Sequence, residues 1–354
     1  MAGIFGLFDY TKEGPGVDPD EPQKGPVLEF FTLYFRKFWK FLTMSFMFLI
    51  GNLPGIALGF VFALYYMPLL FPIFAPSTFE RLFEAQGIDF GDTITVAGAA
   101  AQSSFIFVVV MALTLVAMQF FVVGPVQAGL TYIHRNYARG EHAFLWWDFR
   151  DAFKDNWKQS LVTSLLSTLV CFLILNAYYF YGQAVEGVFS TVLRTLLMVL
   201  LFLLTSMLMY AYQMMVTFDL PLKHIFKNSL LFTILRLPFN FGIILLLLVI
   251  NVVVPVLIAT FLVVELAVLV IAAYFILFSF SFSLFLINYF VNRQLVRYMI
   301  EPLMAAEAAE AEAEEENWDD EYEYEEDPEA EEDAEEDEDE ELSDSRSYPK
   351  HAPV

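Results

Sequence analysis

Cysteine is all but missing from this chain: Cys171 is the one thiol in 354 residues. An internal disulfide framework and a multi-cysteine zinc site are therefore excluded. The four histidines, His134, His142, His224 and His351, are scattered and never take the H-E-x-x-H spacing. They read as ordinary surface side chains, and no cofactor or metal is expected. Neither a G-x-x-x-x-G-K-S/T phosphate loop nor a G-x-G-x-x-G turn is present, which removes the common nucleotide-binding signatures. Charge is thin as well, at 18% of residues against 58% hydrophobic, and the 39 Phe outnumber all 19 Lys and Arg. Soluble domains carry about 25% charged residues, so a water-soluble globule does not fit.

The net charge of −24 belongs to one end. Residues 301–354 hold 26 of the 43 acidic residues and two of the 19 basic ones, which leaves residues 1–300 neutral. No nucleic-acid partner is expected of such a balance.

Long uncharged runs take the place of charge. A helix needs ~20 apolar residues to cross a bilayer. Stretches free of Asp, Glu, Lys and Arg run from Phe41 to Phe79, Thr93 to His134, Gln159 to Val185, Thr195 to Phe218, Leu237 to Val264 and Leu266 to Asn292. Within them the hydropathy predicts six spans, near 43–70, 104–124, 161–181, 196–216, 241–263 and 267–289. Only Glu265 divides the last two stretches, where it suits an outer turn, and Pro255 is a potential break in the fifth span. The expected fold class is all-α, a polytopic six-helix membrane protein. Residues 1–40 form an N-terminal segment, 41–300 the membrane domain and 301–354 an acidic tail. The first 40 residues mix Asp and Glu with Pro and Gly and do not read as a cleavable signal peptide.

Lys and Arg favour the cytoplasmic side of short loops. Lys12, Lys24, Arg36, Lys37 and Lys40 precede span one, and Arg81 stands alone after it. Arg135, Arg139, Arg150, Lys154 and Lys158 follow span two, and Arg194 stands alone after span three. Lys223, Lys227 and Arg236 follow span four, no cation separates spans five and six, and Arg293 and Arg297 come last. The alternation predicts cytoplasmic termini and three short outer connections.

The inner segments carry amphipathic patterns. Trp146, Phe149, Phe153 and Trp157 recur at helical spacing, beside Trp147 and the cationic series Arg150, Lys154 and Lys158. Such a helix suits the headgroup layer, with membrane lipids as its partners, and the same surface is a candidate docking helix for a protein. In the next inner segment Asp219 is the expected N-cap, with Pro221 in the first turn and Leu222, Ile225, Phe226 and Leu230 on one face. Residues 30–40 share the aromatic and basic character. Three basic amphipathic stretches, each followed by a hairpin, also raise a threefold internal repeat.

Span one contains Gly51-Asn52-Leu53-Pro54-Gly55, and Gly51, Gly55, Gly59 and Ala63 recur every fourth residue. A small-residue ridge lets a second helix approach closely, and Pro54 removes a backbone donor and kinks or splits the helix. This is the candidate break: either a packing site or, in a transporter, a stretch that lines a substrate path. The six span cores contain no Asp, Glu, Lys or Arg, so ion-coupled transport and acid–base catalysis find no positioned group. The tail, rich in Glu and Ala from Ala305 and then in Asp and Glu, is expected to be disordered. It would serve as a solvated tether or meet a basic partner.

Several blocks then resemble one family. Phe5-Gly6-Leu7-Phe8-Asp9-Tyr10, Gly14-Pro15-Gly16-Val17 and Arg36-Lys37-Phe38-Trp39-Lys40 are similar to the opening of YesL-type membrane proteins. So are Leu53-Pro54-Gly55-Ile56, Ala63-Leu64-Tyr65-Tyr66, Gly124-Pro125, Gly129-Leu130-Thr131-Tyr132, Arg135-Asn136-Tyr137 and Trp147-Asp148-Phe149. The resemblance implies a bacterial plasma-membrane protein of undetermined activity, associated with carbohydrate uptake. It supplies no catalytic residues, and the acidic tail lies outside its pattern. The expectation is a non-enzymatic accessory protein that binds a sugar-transport complex or another membrane protein, with a transporter or channel as the alternative.

Overall fold

The structure, a computed structural model, describes residues 25–88, 90–91, 94–306 and 308–310. The blocks before Gly25, the acidic tail beyond Glu310 and the side chain of Glu265 lie outside the described residues. The chain divides into two units after Arg293, and the second is helical across its described residues.

Every regular element among the described residues is helical. Helices α1 (Pro26–Arg36), α2 (Phe38–Gly51) and α3 (Leu53–Leu70) follow one another directly. A 3₁₀ turn (Pro72–Phe74) and α4 (Pro76–Ala85) lead to α5 (Val96–Ala117) and α6 (Gly124–Ala138). Next come α7 (Leu145–Asp155), α8 (Trp157–Ala184), α9 (Gly187–Met215) and α10 (Leu222–Leu235). A π turn (Val249–Val253) joins α11 (Leu237–Leu248) to α12 (Val254–Phe261). A second π turn (Phe275–Ser279) joins α13 (Val264–Tyr274) to α14 (Phe280–Leu295).

Six helices are long and apolar enough to cross a membrane: α3, α5, α8, α9, the run Leu237–Phe261 and the run that begins at Leu266. The protein is therefore an all-α polytopic membrane protein. Three boundaries differ from the hydropathy reading, one being the start of span four, expected at 196, which lies at Gly187 and takes Arg194 into α9. Span one, expected over 43–70, is cut at Asn52, so that α3 alone makes the crossing and α2 is a separate apolar helix. Span two, expected over 104–124, ends at Ala117 and begins at Val96. The connection between the first two crossings is also more than a loop, because α4 sits within it and packs on α5.

One joint recurs. Asn52 (φ −102°, ψ 12°), Asn156 (φ −102°, ψ 8°) and Arg236 (φ −109°, ψ 27°) each separate a short helix from a crossing helix. All three sit near the bridge region, where a single residue can turn the chain without leaving the helical hydrogen-bond pattern. At each, the joint residue's N–H bonds four residues back, to Phe48, Ala152 or Phe232, and its carbonyl accepts from four residues on, from Ile56, Ser160 or Asn240. Pro54 and Pro238 stand two residues past the first and third joints, early in the new helix, where a proline costs no intrahelical bond. Lys37 (φ −108°, ψ 19°), between α1 and α2, has the same geometry without a crossing helix after it, so the joint is a general device of this chain.

The aromatic stretch at 30–40 divides, with Phe31, Phe35 and Trp39 exposed on one side and Phe30 and Tyr34 turned into the core on the other. Phe30, Tyr34 and Phe41 are buried in a cluster with α14, where Phe41 lies 4.5 Å from Phe285 and Phe30 5.0 Å from Phe285, centroid to centroid. The α10 expectation changes too. Its N-cap is Pro221, not Asp219, and the buried face is Ile225, Ser229, Phe232 and Thr233, while Leu230 is exposed. Packing against α9 explains this, since small hydroxyls fit a close helix pair better than leucine does.

Pro255 yields a π turn rather than a break. Its missing N–H orphans the carbonyl of Asn251, which instead accepts from Thr114 Oγ1 at 2.9 Å, and Ile250 O accepts from Tyr274 OH at 2.9 Å. The Asn251 side chain binds Leu247 O, Ser283 Oγ and Ser279 Oγ at 2.7–3.0 Å. A polar group inside the bilayer is held only by such internal partners.

Candidate functional site

The glycine ridge, split between Gly51 at the end of α2 and Gly55 and Gly59 on α3, meets α5, the link after it and the start of α6. A Cβ at Gly51 would stand 2.6 Å from Val126 Cγ1, and one at Gly55 would collide with the Phe121 carbonyl oxygen. Gly59 faces Ala112 O, at 3.3 Å from such a Cβ. Pro54 occupies the first turn of α3. Asn52, fully buried, ties the two broken segments together: its Nδ2 donates to Phe48 O at 3.0 Å, and its Oδ1 accepts from Val123 N at 2.7 Å. Val123 is the N-cap of α6, so Asn52 satisfies one of the donors a helix start leaves orphaned. Gln119, at φ 69°, makes the turn that brings the chain there.

α6 is the element the charge pattern missed. Arg135 and Arg139 placed residues 125–158 in a loop, yet thirteen of the fifteen residues of α6 are buried. Close glycines allow this. Gly124 abuts the Ser160 carbonyl of α8, and a Cβ at Gly129 would stand 2.7 Å from the Phe149 ring of α7. The uncharged stretch from Thr93 to His134 had offered a signal, being about twice the ~20 residues a crossing needs.

His134 is buried, not a surface residue. Its Nδ1 lies 2.7 Å from Leu130 O and its Nε2 3.4 Å from Ser281 Oγ. A carbonyl only accepts, so Nδ1 carries the proton and Nε2 takes the serine hydroxyl. Burial pulls the imidazole down to about 4, against the opposing pull of the Leu130 and Ser281 bonds, and the ring is neutral at pH 7. Arg135 donates through Nη1 to Val216 O, at the end of α9, and to Thr217 Oγ1 at 3.3 Å. Its Nε and Nη2 reach Asn136 Oδ1 at 3.1 and 2.9 Å. A cation at a helix C-terminus is favourably placed. Lys37 lies 4.0 Å above the Tyr137 ring, and burial, then Arg36 and Lys40, lower its ammonium to about 8.

On α7 the expected aromatic series divides. Phe149 and Phe153 are half-buried, while Trp146, Trp147, Arg150 and Lys154 are exposed. Trp157 and Lys158 fall beyond the Asn156 joint, on α8, and are also exposed. Asp148 Oδ2 accepts from the backbone N of the N-cap residue Phe144 at 2.9 Å, pairing a donor at the helix start, and sets where α7 starts. The helix is thus seated on one side and bare on the other, with both tryptophans 63% exposed.

Two cavities lie along the crossing helices. One of about 710 Å³ is lined by Met67, Phe107, Met118, Met198, Phe202 and Phe241 among others. Another of about 620 Å³ lies among Phe62, Tyr66, Phe121, Leu169, Phe172 and Asn176. Both are largely apolar, and neither is lined by Asn52 or Pro54. Among the described residues no group of three or more His, Cys, Asp or Glu is placed to hold a metal.

Residues 104–178, from within α5 through α6 and α7 into α8, match the family model described as a protein of unknown function, DUF624. Comparison with curated proteins and with solved structures gives no match.

Proposed function

We propose that this chain is a YesL-like accessory protein of the bacterial plasma membrane, with both termini in the cytoplasm and no catalytic activity of its own. It binds a partner membrane protein, and the resemblance to YesL-type proteins points to a carbohydrate-uptake complex as that partner. The observation that carries the reading is α7: a helix capped by Asp148 and seated on Gly129 that leaves Trp146, Trp147, Arg150 and Lys154 bare. Exposed aromatic and arginine side chains on a rigid support are the residue types that dominate binding hot spots. Lipid headgroups favour the same composition, so the test must separate the two.

The alternative is a transporter or channel whose path is lined by Asn52–Gly55. The packing gives it less support, because Phe121 and Val126 fill the space beside Gly55 and Gly51.

The discriminating experiment compares uptake of carbohydrates by cells lacking the protein with uptake after complementation. Wild-type protein is expected to restore uptake, and to bring a transport component through purification in mild detergent. A W146A/W147A/R150A variant is expected to reach the membrane and do neither. Unchanged uptake in the deletion strain, together with a protein that purifies alone, overturns the accessory reading. A triple variant that restores uptake fully assigns α7 to lipid anchoring.

A further inference from the structure

Three cross-helix bonds fix which faces meet at α6. Arg135 reaches Thr217 at the end of α9, His134 reaches Ser281 of α14, and Arg139 Nε reaches Asn292 Oδ1 of α14 at 3.2 Å. Along those same faces lie polar atoms with no protein partner, although Asn288 Nδ2 donates to Leu284 O at 2.7 Å. Thr131 and Gln127 stand one and two turns back from Arg135 on α6. Gln213 stands one turn back from Thr217, whose hydroxyl bonds Gln213 O at 2.6 Å, and Ser206 lies two turns further back. Asn288 lies on α14 at a seven-residue spacing from Ser281 and one turn from Asn292. All five are buried: Gln127, Ser206 and Gln213 at 0% exposure, Asn288 at 1% and Thr131 at 2%. Neither amide atom of Gln127 or of Gln213 makes a hydrogen bond within the protein, nor do Thr131 Oγ1, Ser206 Oγ or Asn288 Oδ1.

A lone buried polar atom without a partner is a rare and costly event in a folded protein. Five residues of this kind on facing surfaces share a chemistry: each is neutral, and the amides and hydroxyls can both donate and accept. A cation would find no countercharge among them, an anion would find a guanidinium only at the Arg139 end, where Glu141 already stands 4.0 Å away, and an apolar chain would leave them unpaired.

We infer that this seam is a water-binding site, its ordered molecules held by these amides and hydroxyls. Buried waters typically make two to four hydrogen bonds to otherwise unsatisfied groups. The hydrated seam runs from the end of α6 marked by Arg139 toward the Asn52–Val123 joint, four residues before Gln127. It makes this end of the helix packing wet, while the grooves around α3 and α5 stay apolar.

The test introduces T131C and Q213C singly into full-length C171S protein and treats membrane vesicles with a small water-soluble methanethiosulfonate. Cys171, buried among apolar residues of α8, is the dry control in the wild-type protein. A thiol needs water to ionise and react. Modification of T131C and Q213C is expected to be at least about tenfold faster than that of Cys171. Rates equal to that of Cys171 overturn the inference. A second variant holds if the cysteines perturb folding. Q213L removes a costly unpaired amide from a dry seam and raises the melting temperature, which overturns the inference. In a wet seam it strips partners from bound water and lowers that temperature.

Discussion

At the scale of single residues, two glycines separate packing from propensity. Gly55 sits against a backbone oxygen, whereas Gly242 in α11 has nothing within 4 Å of where a Cβ would stand. G55A must push α3 away from Phe121 and is expected to lose about 1–3 kcal/mol of stability. G242A only relieves the chain entropy of a helical glycine and is expected to gain about 0.5–1 kcal/mol. Thermal unfolding of the two variants in the same detergent checks the contrast. A second expectation follows from His134. Its folded pKa lies below the unfolded value near 6.5, so the unfolded chain binds the extra proton over the interval between them. The stability held above pH 6.5 is therefore lost as pH falls toward 4, by an amount on the order of 3 kcal/mol. H134Q should flatten that acid limb in a pH series of melting curves. The sequence had placed His134 and Arg135 at the surface because charge and titratability are read as exposure. It held no sign that Leu130, Ser281 and Val216 would supply their partners, because those bonds are tertiary.

Among the elements, the bend in the fifth crossing is the most exposed to test. Pro255 leaves the Asn251 carbonyl to Thr114 of another helix. T114V should cost about 0.6 kcal/mol, with ~2 as an upper limit for an interhelical bond in a membrane. P255A should abolish most of that cost by restoring an internal donor, so the double variant tests whether the two residues act together. Crossing helices were legible because desolvation imposes a length and a purity of composition that no loop mimics. Their ends were less so. The hydropathy of Phe41–Gly51 does not differ from that of a span, and only Asn52 and Pro54 marked the cut. Amphipathic faces were legible in part: Trp146, Trp147, Arg150 and Lys154 do share the bare side of α7, whereas the face of α10 was misassigned because Ser229 and Thr233 turn inward against α9.

For the whole molecule, an even number of crossings sets both chain ends on the same side. Reporter domains fused before Gly25 and after Val354 are expected to report the cytoplasm in both cases, as the Lys and Arg distribution requires. Reports from opposite sides would contradict the six-span arrangement, and an outer signal from both fusions would reverse its orientation. The acidic and uncharged portions of the sequence were separable by composition alone. The sealing of the first helix break by the second was not, since it joins Asn52 to Val123 across 71 residues of chain.

The burial of α6 also dictates a timetable for biosynthesis. Its neighbours include α2, made before it, but also α8, α9 and α14, made after it. A nascent polypeptide that has emerged only as far as α7 therefore holds a short, glycine-bearing helix whose arginine and histidine still lack their partners beyond α9 and on α14. Ribosome-stalled chains ending before Ser281 are expected to stay open to protease near residues 124–138, and full-length chains to close that window. On that expectation, α6 reaches its final packing only when the last crossing is in place.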